Sequence, residues 1–267
     1  MSTLVTAPLA YPGRVVRRGH KNKTHVLAVQ RALNEMGVGP VEEEGGFGDQ
    51  TEDAVMLFQA RFPDTDGLPL KVDGEVGPLT WAALFGPQSV QVRNETTIEL
   101  LSRAVAAAAS QVGVMEEPRG SNRGPKVDQY VQATGLSPAD KSPWCACFVF
   151  WCYNQAAEAL GRKNPVVRTA HVLTHWREAG GKGVPRITTK QAKDNPGLVR
   201  PGHIFIMAVG GRGAGHTGIV ERMMGGKLVT IEGNTNRNGS REGIGVFRRE
   251  LRKIADINRG FIDYGEM

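Results

Sequence analysis

Residues 142–152 read Ser-Pro-Trp-Cys-Ala-Cys-Phe-Val-Phe-Trp-Cys and decide the fold of the larger part of the chain. Serine is a favoured helix N-cap and proline a favoured first helical residue, so the stretch predicts a helix from Pro143 to about Leu160. Cys145 would then lie in the first turn, where unpaired backbone N–H groups and the helix dipole stabilise an anion. A thiol in that position loses its proton more easily and becomes a better nucleophile.

All three cysteines of the chain lie in this stretch, and they also fit a simpler interpretation as small core residues. That interpretation is favoured for Cys147 and Cys152, which fall in the middle of the helix. For Cys145 the helix position alone supports both interpretations equally. The spacing C-x-C-x4-C matches no usual zinc pattern and does not indicate a disulfide framework, so we expect free thiols.

A predicted β-hairpin supplies a partner for the thiol. Its strands, residues 215–220 and 227–234, are separated by a Gly225-Gly226 turn. A two-residue turn would pair His216 with Thr235. A three-residue turn that includes Met224 would pair His216 with Asn234 and place Glu232 diagonally on the same face. We favour the second register because it separates polar from apolar residues, although a bulge would have the same effect.

This register gives His216 a carboxylate and an amide as neighbours. Either group could hold the Nδ1 proton and leave Nε2 free to take the proton of the thiol. A histidine alone on a strand is more often structural. Combined with Glu232, Asn234 and a first-turn cysteine, it predicts a cysteine-dependent acyl-transfer enzyme that needs no cofactor.

The N-terminal part contains a short internal repeat. Residues 47–54, Phe-Gly-Asp-Gln-Thr-Glu-Asp-Ala, are echoed 29 positions later by Val-Gly-Pro-Leu-Thr-Trp-Ala-Ala. In each copy a glycine turn leads into a helix start, with Asp49 and Glu52 as a capping box and Pro78 in a first turn. A helical period before the repeat ends near Gly37. Residues 12–86 are therefore predicted to form a small all-α bundle of three helices.

Several short motifs together resemble the peptidoglycan-binding domain with a three-helix fold, over about residues 14–86. They are Arg18-Gly19, Val29-Gln30-x-x-Leu33, Phe47-Gly48-x-x-Thr51, Val55-x-x-Phe58-Gln59 and Val72-Asp73-Gly74-x-Val76-Gly77-x-x-Thr80-Trp81. The resemblance implies attachment to the bacterial cell wall. Most of the matching residues are the kind that form core and turns rather than a binding surface.

Residues 87–95 are polar and without periodicity, which predicts a linker, and residues 96–267 form a second domain. Thr96 and Glu99 read as a capping box for a helix to about Gln111. A short helix over Val127–Thr134 and the long cysteine-bearing helix follow. Later apolar runs predict strands at residues 204–209, 215–224 and 227–234 and near 245–248 and 261–264. Helices followed by an antiparallel sheet indicate an α+β domain.

Four motifs of this second part resemble the CHAP domain of cysteine- and histidine-dependent amidohydrolases/peptidases, over about residues 97–267. They are Trp144-Cys145-Ala146-x-Phe148-Val149, Pro201-Gly202-x-Ile204, Gly215-His216-Thr217-Gly218-Ile219-Val220 and Glu232-Gly233-Asn234. The resemblance implies a papain-like fold and cleavage of amide bonds in peptidoglycan. By position, it makes Cys145 the nucleophile and His216 the general base and later acid. Glu232 would orient and charge His216, and Asn234 would support the site.

The sequence departs from that family at His203, where an aspartate is common, and we interpret His203 as structural. Some relatives bind calcium through an Asp-rich loop. Here Asp128 and Asp140 are too few and too far apart for an oxygen cage, so we predict no metal site.

Three residues near the nucleophile have open interpretations. Trp144 is a candidate substrate-binding wall of the groove and equally a buried core aromatic. Asn122 and Arg123 could line the groove, although a solvated loop is favoured.

The charge is uneven along the chain. Residues 1–90 carry 8 Lys/Arg and 11 Asp/Glu, whereas residues 91–267 carry 25 and 16, so the net charges are −3 and +9. The second part would be drawn to an anionic envelope surface, or its charge is simply well solvated. No recognised nucleic-acid module is present, and we expect no nucleic acid as partner. No apolar run approaches the roughly 20 residues of a membrane span.

These observations predict an endolysin-type, monomeric peptidoglycan hydrolase with peptidoglycan as its partner. N-acetylmuramoyl-L-alanine amidase and peptide cross-link endopeptidase activities both remain open. The alternative is a catalytically silent cell-wall-binding protein. Met1–Leu9 lacks a basic segment followed by an apolar stretch, so we expect synthesis in the host cytoplasm without a signal peptide and action on the wall after release.

Overall fold

The computed structural model describes residues 9–91, 95–210, 214–236 and 243–267. Within these ranges the chain divides into two compact units, the first built mainly from residues before position 92 and the second mainly from residues after position 94. Of the predicted linker, Pro87–Ser89 form a 3-10 helix, and residues 92–94 lie outside the described part. The predicted absence of a signal peptide also concerns residues that are largely outside it. None of the described helices is long and apolar enough to cross a bilayer.

The first unit contains the three predicted helices, α1 (Lys23–Glu35), α2 (Asp49–Arg61) and α3 (Pro78–Phe85). Apolar side chains at helical spacing face a common core, in which Leu33, Phe58 and Trp81 are fully buried. The all-α bundle predicted for this part is confirmed.

The internal repeat has a structural basis in two buried glutamines, Gln30 and Gln59. Each side-chain amide clamps the glycine turn that precedes the next helix: its oxygen accepts a backbone N–H, and its nitrogen donates to a carbonyl and a threonine hydroxyl. The partners of Gln30 are Gly45 (3.0 Å), Gly46 (2.9 Å) and Thr51 (3.1 Å). The corresponding partners of Gln59 are Gly74 (3.0 Å), Glu75 (2.9 Å) and Thr80 (3.2 Å). Every position of the Gln30 clamp recurs 29 residues later, with Glu75 in place of Gly46, and Gln59 forms two further hydrogen bonds with Asp73.

Both predicted capping boxes are wrong, because other contacts recruit their side chains. Helix α2 has Gly48 as its N-cap without a side-chain cap, and Asp49 and Glu52 both bind Arg18. Helix α4 (Glu99–Ala109) begins after Ile98, whose N–H donates to the Thr96 hydroxyl at 3.3 Å. The prediction for α3 is confirmed, since Pro78 is its first residue.

The second unit combines helices with a six-stranded sheet, as the predicted α+β fold requires. After α4, the helices are α5 (Pro125–Ala133), α6 (Cys145–Ala159), α7 (Val172–Gly181) and α8 (Thr189–Asp194). The strands are β1 (Arg186–Thr188), β2 (Ile204–Ala208), β3 (Gly215–Met224), β4 (Lys227–Thr235), β5 (Gly245–Lys253) and β6 (Gly260–Ile262). Their order in the sheet is β1-β6-β2-β3-β4-β5. Helices α4 and α5 pack on α6, which lies against β4. Helices α7 and α8 and strand β1 were not predicted.

Helix α6 begins two residues later than predicted, at Cys145, with Trp144 as its N-cap. The Ser142-Pro143 start is wrong because burial of the Trp144 ring, and not a local serine cap, fixes the end of the helix. Cys145 nevertheless occupies the first turn. Phe148, Val149 and Cys152 of this helix are fully buried, which agrees with the interpretation of Cys152 as a core residue.

The turn between β3 and β4 differs from the one that we favoured. Met224 is the last residue of β3, and the turn contains only Gly225 and Gly226, both with positive φ. Two glycines allow the left-handed backbone that such tight turns need. Continuous pairing from this turn would place His216 and Glu232 on opposite faces, whereas their side chains are hydrogen-bonded. The pairing therefore shifts by one residue between the turn and the site.

Candidate active site

Cys145 is the first residue of α6 and is 3% exposed. Backbone N–H groups in a first helical turn have no acceptor within the helix, and they give this end a partial positive charge. The sulfur therefore lies where both a thiolate and an oxyanion would be stabilised. The other two thiols, Cys147 and Cys152, are fully buried, and burial raises the pKa of each.

His216 lies on β3 and is 2% exposed. Its Nε2 atom is 2.7 Å from Glu232 Oε2. Its Nδ1 atom has no hydrogen-bond partner among the described residues, and Cys145 is close enough to the ring to raise its pKa. Since Glu232 uses Nε2, Nδ1 is the nitrogen left for the thiol. The ring thus presents Nδ1 to Cys145 and Nε2 to Glu232. The predicted assignment of the two nitrogens was the reverse and is wrong, because a carboxylate on the neighbouring strand reaches the far edge of the ring.

The charges of the pair reinforce each other. Burial alone would lower the pKa of His216, but hydrogen bonds and attraction from Cys145 and Glu232 outweigh it and raise the pKa to about 9. Burial alone would raise the pKa of Glu232, but His216 and Arg252 outweigh it and lower the pKa to about 2. At neutral pH the site therefore holds an imidazolium and a carboxylate.

The Glu232 carboxylate is fully buried and accepts four hydrogen bonds from the part of the chain that the structure describes. They come from His216 Nε2 (2.7 Å), Thr230 Oγ1 (2.6 Å), Arg252 Nε (2.8 Å) and Arg252 Nη2 (2.8 Å). Sequence reasoning missed Arg252, because a charged run at residues 248–253 is typical of a solvated strand. Strict alternation from Arg248 would place Arg252 on the exposed face, and the shift in the pairing of β4 with β5 between Leu228 and Thr230, which the sequence does not signal, turns it towards Glu232.

Asn234 lies at an irregular point of β4. Pairing with β5 shifts between Glu232 and Thr235, and Asn234 has a φ of 53°. Asparagine tolerates this left-handed backbone better than most residues, and such bulges redirect side chains. In the orientation that satisfies both ends of its side-chain amide, the Asn234 oxygen accepts a hydrogen bond from the backbone N–H of Trp144 at 3.3 Å. Its nitrogen donates to the Gly243 carbonyl at 3.2 Å. Asn234 therefore holds the residue that precedes Cys145.

Two family models match the chain. The model of the putative peptidoglycan binding domain matches residues 22–84, and that of the CHAP domain matches residues 137–234. The chain contains a peptidoglycan-binding domain followed by a CHAP domain. Both resemblances are thereby confirmed, and together the domains support a cell-wall hydrolase of the cysteine- and histidine-dependent amidohydrolase/peptidase family. Searches of curated proteins and of solved structures find no significant match.

The match to the CHAP domain includes Cys145, His216, Glu232 and Asn234, which the structure brings together from α6, β3 and β4. Arg252 on β5 lies beyond the matched range.

Trp144 is a buried core residue of the CHAP domain and not a groove wall. Its ring is fully buried near Tyr130, and its Nε1 donates to Glu116 Oε1 at 2.9 Å. Of the two alternatives in the sequence, the core aromatic describes the structure.

The loop before α5 is held by its own contacts. Arg123 forms two 2.9 Å hydrogen bonds to the carboxylate of Asp128. Asn122 donates to the Lys141 carbonyl at 3.0 Å. Both side chains thus form hydrogen bonds to other residues of the CHAP domain.

His203 is fully buried at the start of β2, and its Nε2 lies 3.1 Å from Asp263 Oδ2. The Arg200 N–H donates to its Nδ1 at 3.3 Å. Because Met207, at the other end of β2, pairs with His216, His203 is remote from the thiol along the strand. These contacts fit a structural role.

Proposed function

We propose that the protein is an endolysin-type peptidoglycan hydrolase that cleaves an amide bond through a covalent intermediate on Cys145. One observation carries the proposal: Cys145 begins a helix beside His216, whose far nitrogen is bonded to Glu232. The peptidoglycan-binding domain in the same chain supports cell wall as the substrate.

The first half of the reaction forms a thioester. The Cys145 thiolate attacks the amide carbonyl carbon, and backbone N–H groups of the first turn of α6 stabilise the oxyanion. As the C–N bond breaks, His216 Nδ1–H donates its proton to the leaving amine. Neutral Nδ1 then takes a proton from water, the resulting hydroxide attacks the thioester, and Cys145 leaves as thiolate beside the restored imidazolium.

Two residues prepare this chemistry without touching the substrate. Glu232 holds the ring through Nε2 and favours its protonated form. Asn234 fixes the backbone of Trp144, and hence the helix end that carries both the sulfur and the oxyanion donors.

Digestion of purified peptidoglycan sacculi tests the proposal and identifies the bond. The wild type should release fragments, Cys145→Ala should release none, and the control Cys147→Ala should remain active. Mass spectrometry separates the activities: free stem peptides indicate an N-acetylmuramoyl-L-alanine amidase, and split cross-links with stems still on sugar indicate an endopeptidase. Binding to sacculi without fragments from any form would leave a wall-binding protein.

The endolysin assignment has its own test. We propose that the protein is made in the cytoplasm of a host cell and reaches the wall only after release. Bacteria that express it should stay intact until their inner membrane is permeabilised and should then lyse. Lysis without permeabilisation would contradict this route.

A further inference from the structure

Arg252 belongs to β5 but serves the site on β3 and β4. It lies opposite Leu228, and Leu228, Thr230 and Glu232 alternate along one face of β4. Its long side chain runs along that face to Glu232, where Nε reaches Oε1 and Nη2 reaches Oε2, both at 2.8 Å. This is the two-pronged guanidinium–carboxylate geometry, which fixes direction as well as distance.

The two parallel hydrogen bonds between Arg252 and Glu232, here called the fork, are enclosed by side chains of β2. The Arg252 guanidinium lies 5.0 Å from the centre of the Phe205 ring, and its Nη1 is 3.3 Å from Met207 Sδ. The Phe205 ring also lies 5.9 Å from the His216 ring. Arg252 is only 5% exposed, so the ion pair is poorly screened by water. Removing one charge would leave the other buried and uncompensated.

The fork leaves Glu232 little freedom. Oε1 accepts from Arg252 and Thr230, and Oε2 accepts from Arg252 and His216. A rotation of the carboxylate away from His216 would break both prongs.

We propose that Arg252 is a positioning residue of the catalytic centre, which keeps Glu232 ionised and oriented so that His216 can serve Cys145. This inference rests on the proposed function. The charged and titratable groups that face Glu232 are His216 from β3 and Arg252 from β5, and Cys145 on α6 faces His216. Loss of Arg252 raises the pKa of Glu232, and a protonated Glu232 no longer supports the imidazolium that stabilises the thiolate.

Alkylation of Cys145 by iodoacetamide tests this without peptidoglycan, because the reagent reacts with the thiolate. The rate on the full chain is measured from pH 4 to 9, after subtraction of the rate of Cys145→Ala. In Arg252→Met, the rise of the alkylation rate on the acidic side of the profile should occur about one pH unit higher. At pH values below that rise, alkylation should be about tenfold slower than in the wild type. Arg252→Lys keeps the charge but loses the fork and should fall between the two. The control Arg248→Met removes an exposed arginine of the same strand, paired with Glu221, and should match the wild type.

A double-variant cycle tests whether Arg252 acts through Glu232. On a Glu232→Gln background, Arg252→Met should cause no further shift. An equal shift in both backgrounds, or a wild-type profile in folded Arg252→Met, overturns the proposal. If circular dichroism shows that Arg252→Met does not fold, Arg252→Lys decides, and an unshifted profile there overturns the proposal.

Hydrolysis of sacculi is measured in parallel. If the alkylation profile of Arg252→Met is shifted but the wild type releases no fragments, the proposed hydrolase function is overturned and the positioning role of Arg252 is retained. A lower kcat with unchanged KM in Arg252→Lys supports positioning rather than substrate binding.

Discussion

His216 Nε2 lies 2.7 Å from Glu232 Oε2, and both side chains are almost completely removed from water. The pKa of His216 is raised to about 9 and that of Glu232 is lowered to about 2. The pair is therefore charged across the whole neutral range, and its contribution to stability has a limit on each side.

The alkaline limit gives the first prediction. A histidine whose pKa rises from 6.5 to about 9 on folding stabilises the fold fully below pH 6.5. That stabilisation is lost as the pH rises through 9. We expect the melting temperature of the C-terminal domain to fall by a few degrees in this window. Calorimetry of His216→Gln provides the comparison, because it should lack this part of the decline; an identical decline in both proteins would contradict the assigned shift.

Glu232→Gln gives the second prediction. The amide keeps the size of the side chain but removes the charge, so the pKa of His216 falls and the ring loses its proton at a lower pH. We expect kcat on sacculi to fall by roughly 10²-fold with little change in KM, since the role proposed for the carboxylate is to orient His216 rather than to contact substrate. Glu221→Gln, on the exposed pair with Arg248, is the matched control. A loss confined to KM would argue against the role given to Glu232.

The left-handed backbone of Asn234 gives the third prediction. Glycine adopts this conformation freely but cannot hold the Trp144 N–H, whereas alanine both loses that bond and strains the backbone. Asn234→Gly should lose activity with a modest loss of stability, and Asn234→Ala should be about 1 kcal/mol less stable than Asn234→Gly. Urea denaturation measures the difference. Equal stabilities would show that the backbone strain is absent.

The bond between Trp144 and Glu116 gives the fourth prediction. Glu116 is buried, and its Oε2 has no hydrogen-bond partner among the described residues. The indole N–H of Trp144, which donates to Oε1, is therefore the main side-chain partner of this carboxyl group. Trp144→Phe should destabilise the domain by about 1–3 kcal/mol because it leaves a buried acceptor unpaired. Adding Glu116→Met should recover part of this loss, since no polar group then remains unsatisfied. Additive losses in the double variant would contradict the pairing.

The two glutamine clamps of the N-terminal domain give the fifth prediction. Gln30→Ala and Gln59→Ala each leave turn N–H groups and carbonyls unpaired, so each should cost about 2 kcal/mol, with the larger loss in Gln59→Ala because Gln59 also bonds to Asp73. Both variants should also weaken retention on sacculi. Gln88→Ala, at an exposed position after α3, is the control. A large loss from only one clamp would show that the copies are not equivalent in energy.

Sequence reasoning located Cys145, His216, Glu232 and Asn234 because each belongs to a short motif on a predictable helix or strand. It missed Arg252 and Glu116, whose partners lie on distant segments and depend on strand pairing. It also reversed the two nitrogens of His216, because ring orientation depends on which edge a neighbouring side chain can reach.

The errors at helix ends have a similar origin. Asp49 and Glu52 are the residue types, at the spacing, that form a helix-capping box. Both carboxylates instead form ion pairs with the guanidinium of Arg18. Likewise, burial of Trp144 decides where α6 begins, and the Ser-Pro signal just before it has no effect. Helix and strand interiors follow from periodicity, whereas their ends respond to contacts that the local sequence does not contain.

The order of strands in the sheet has a consequence for how the CHAP domain folds during synthesis. Strand β6 is last in the chain, yet it pairs with β1 on one side and β2 on the other, inside the sheet. On the ribosome, the edge of β2 stays unpaired until residues 260–262 have been translated. A nascent chain that already carries Cys145, His216 and Glu232 therefore lacks a closed sheet to hold them. The sheet that carries these residues can therefore close only after nearly the whole CHAP domain has been synthesised.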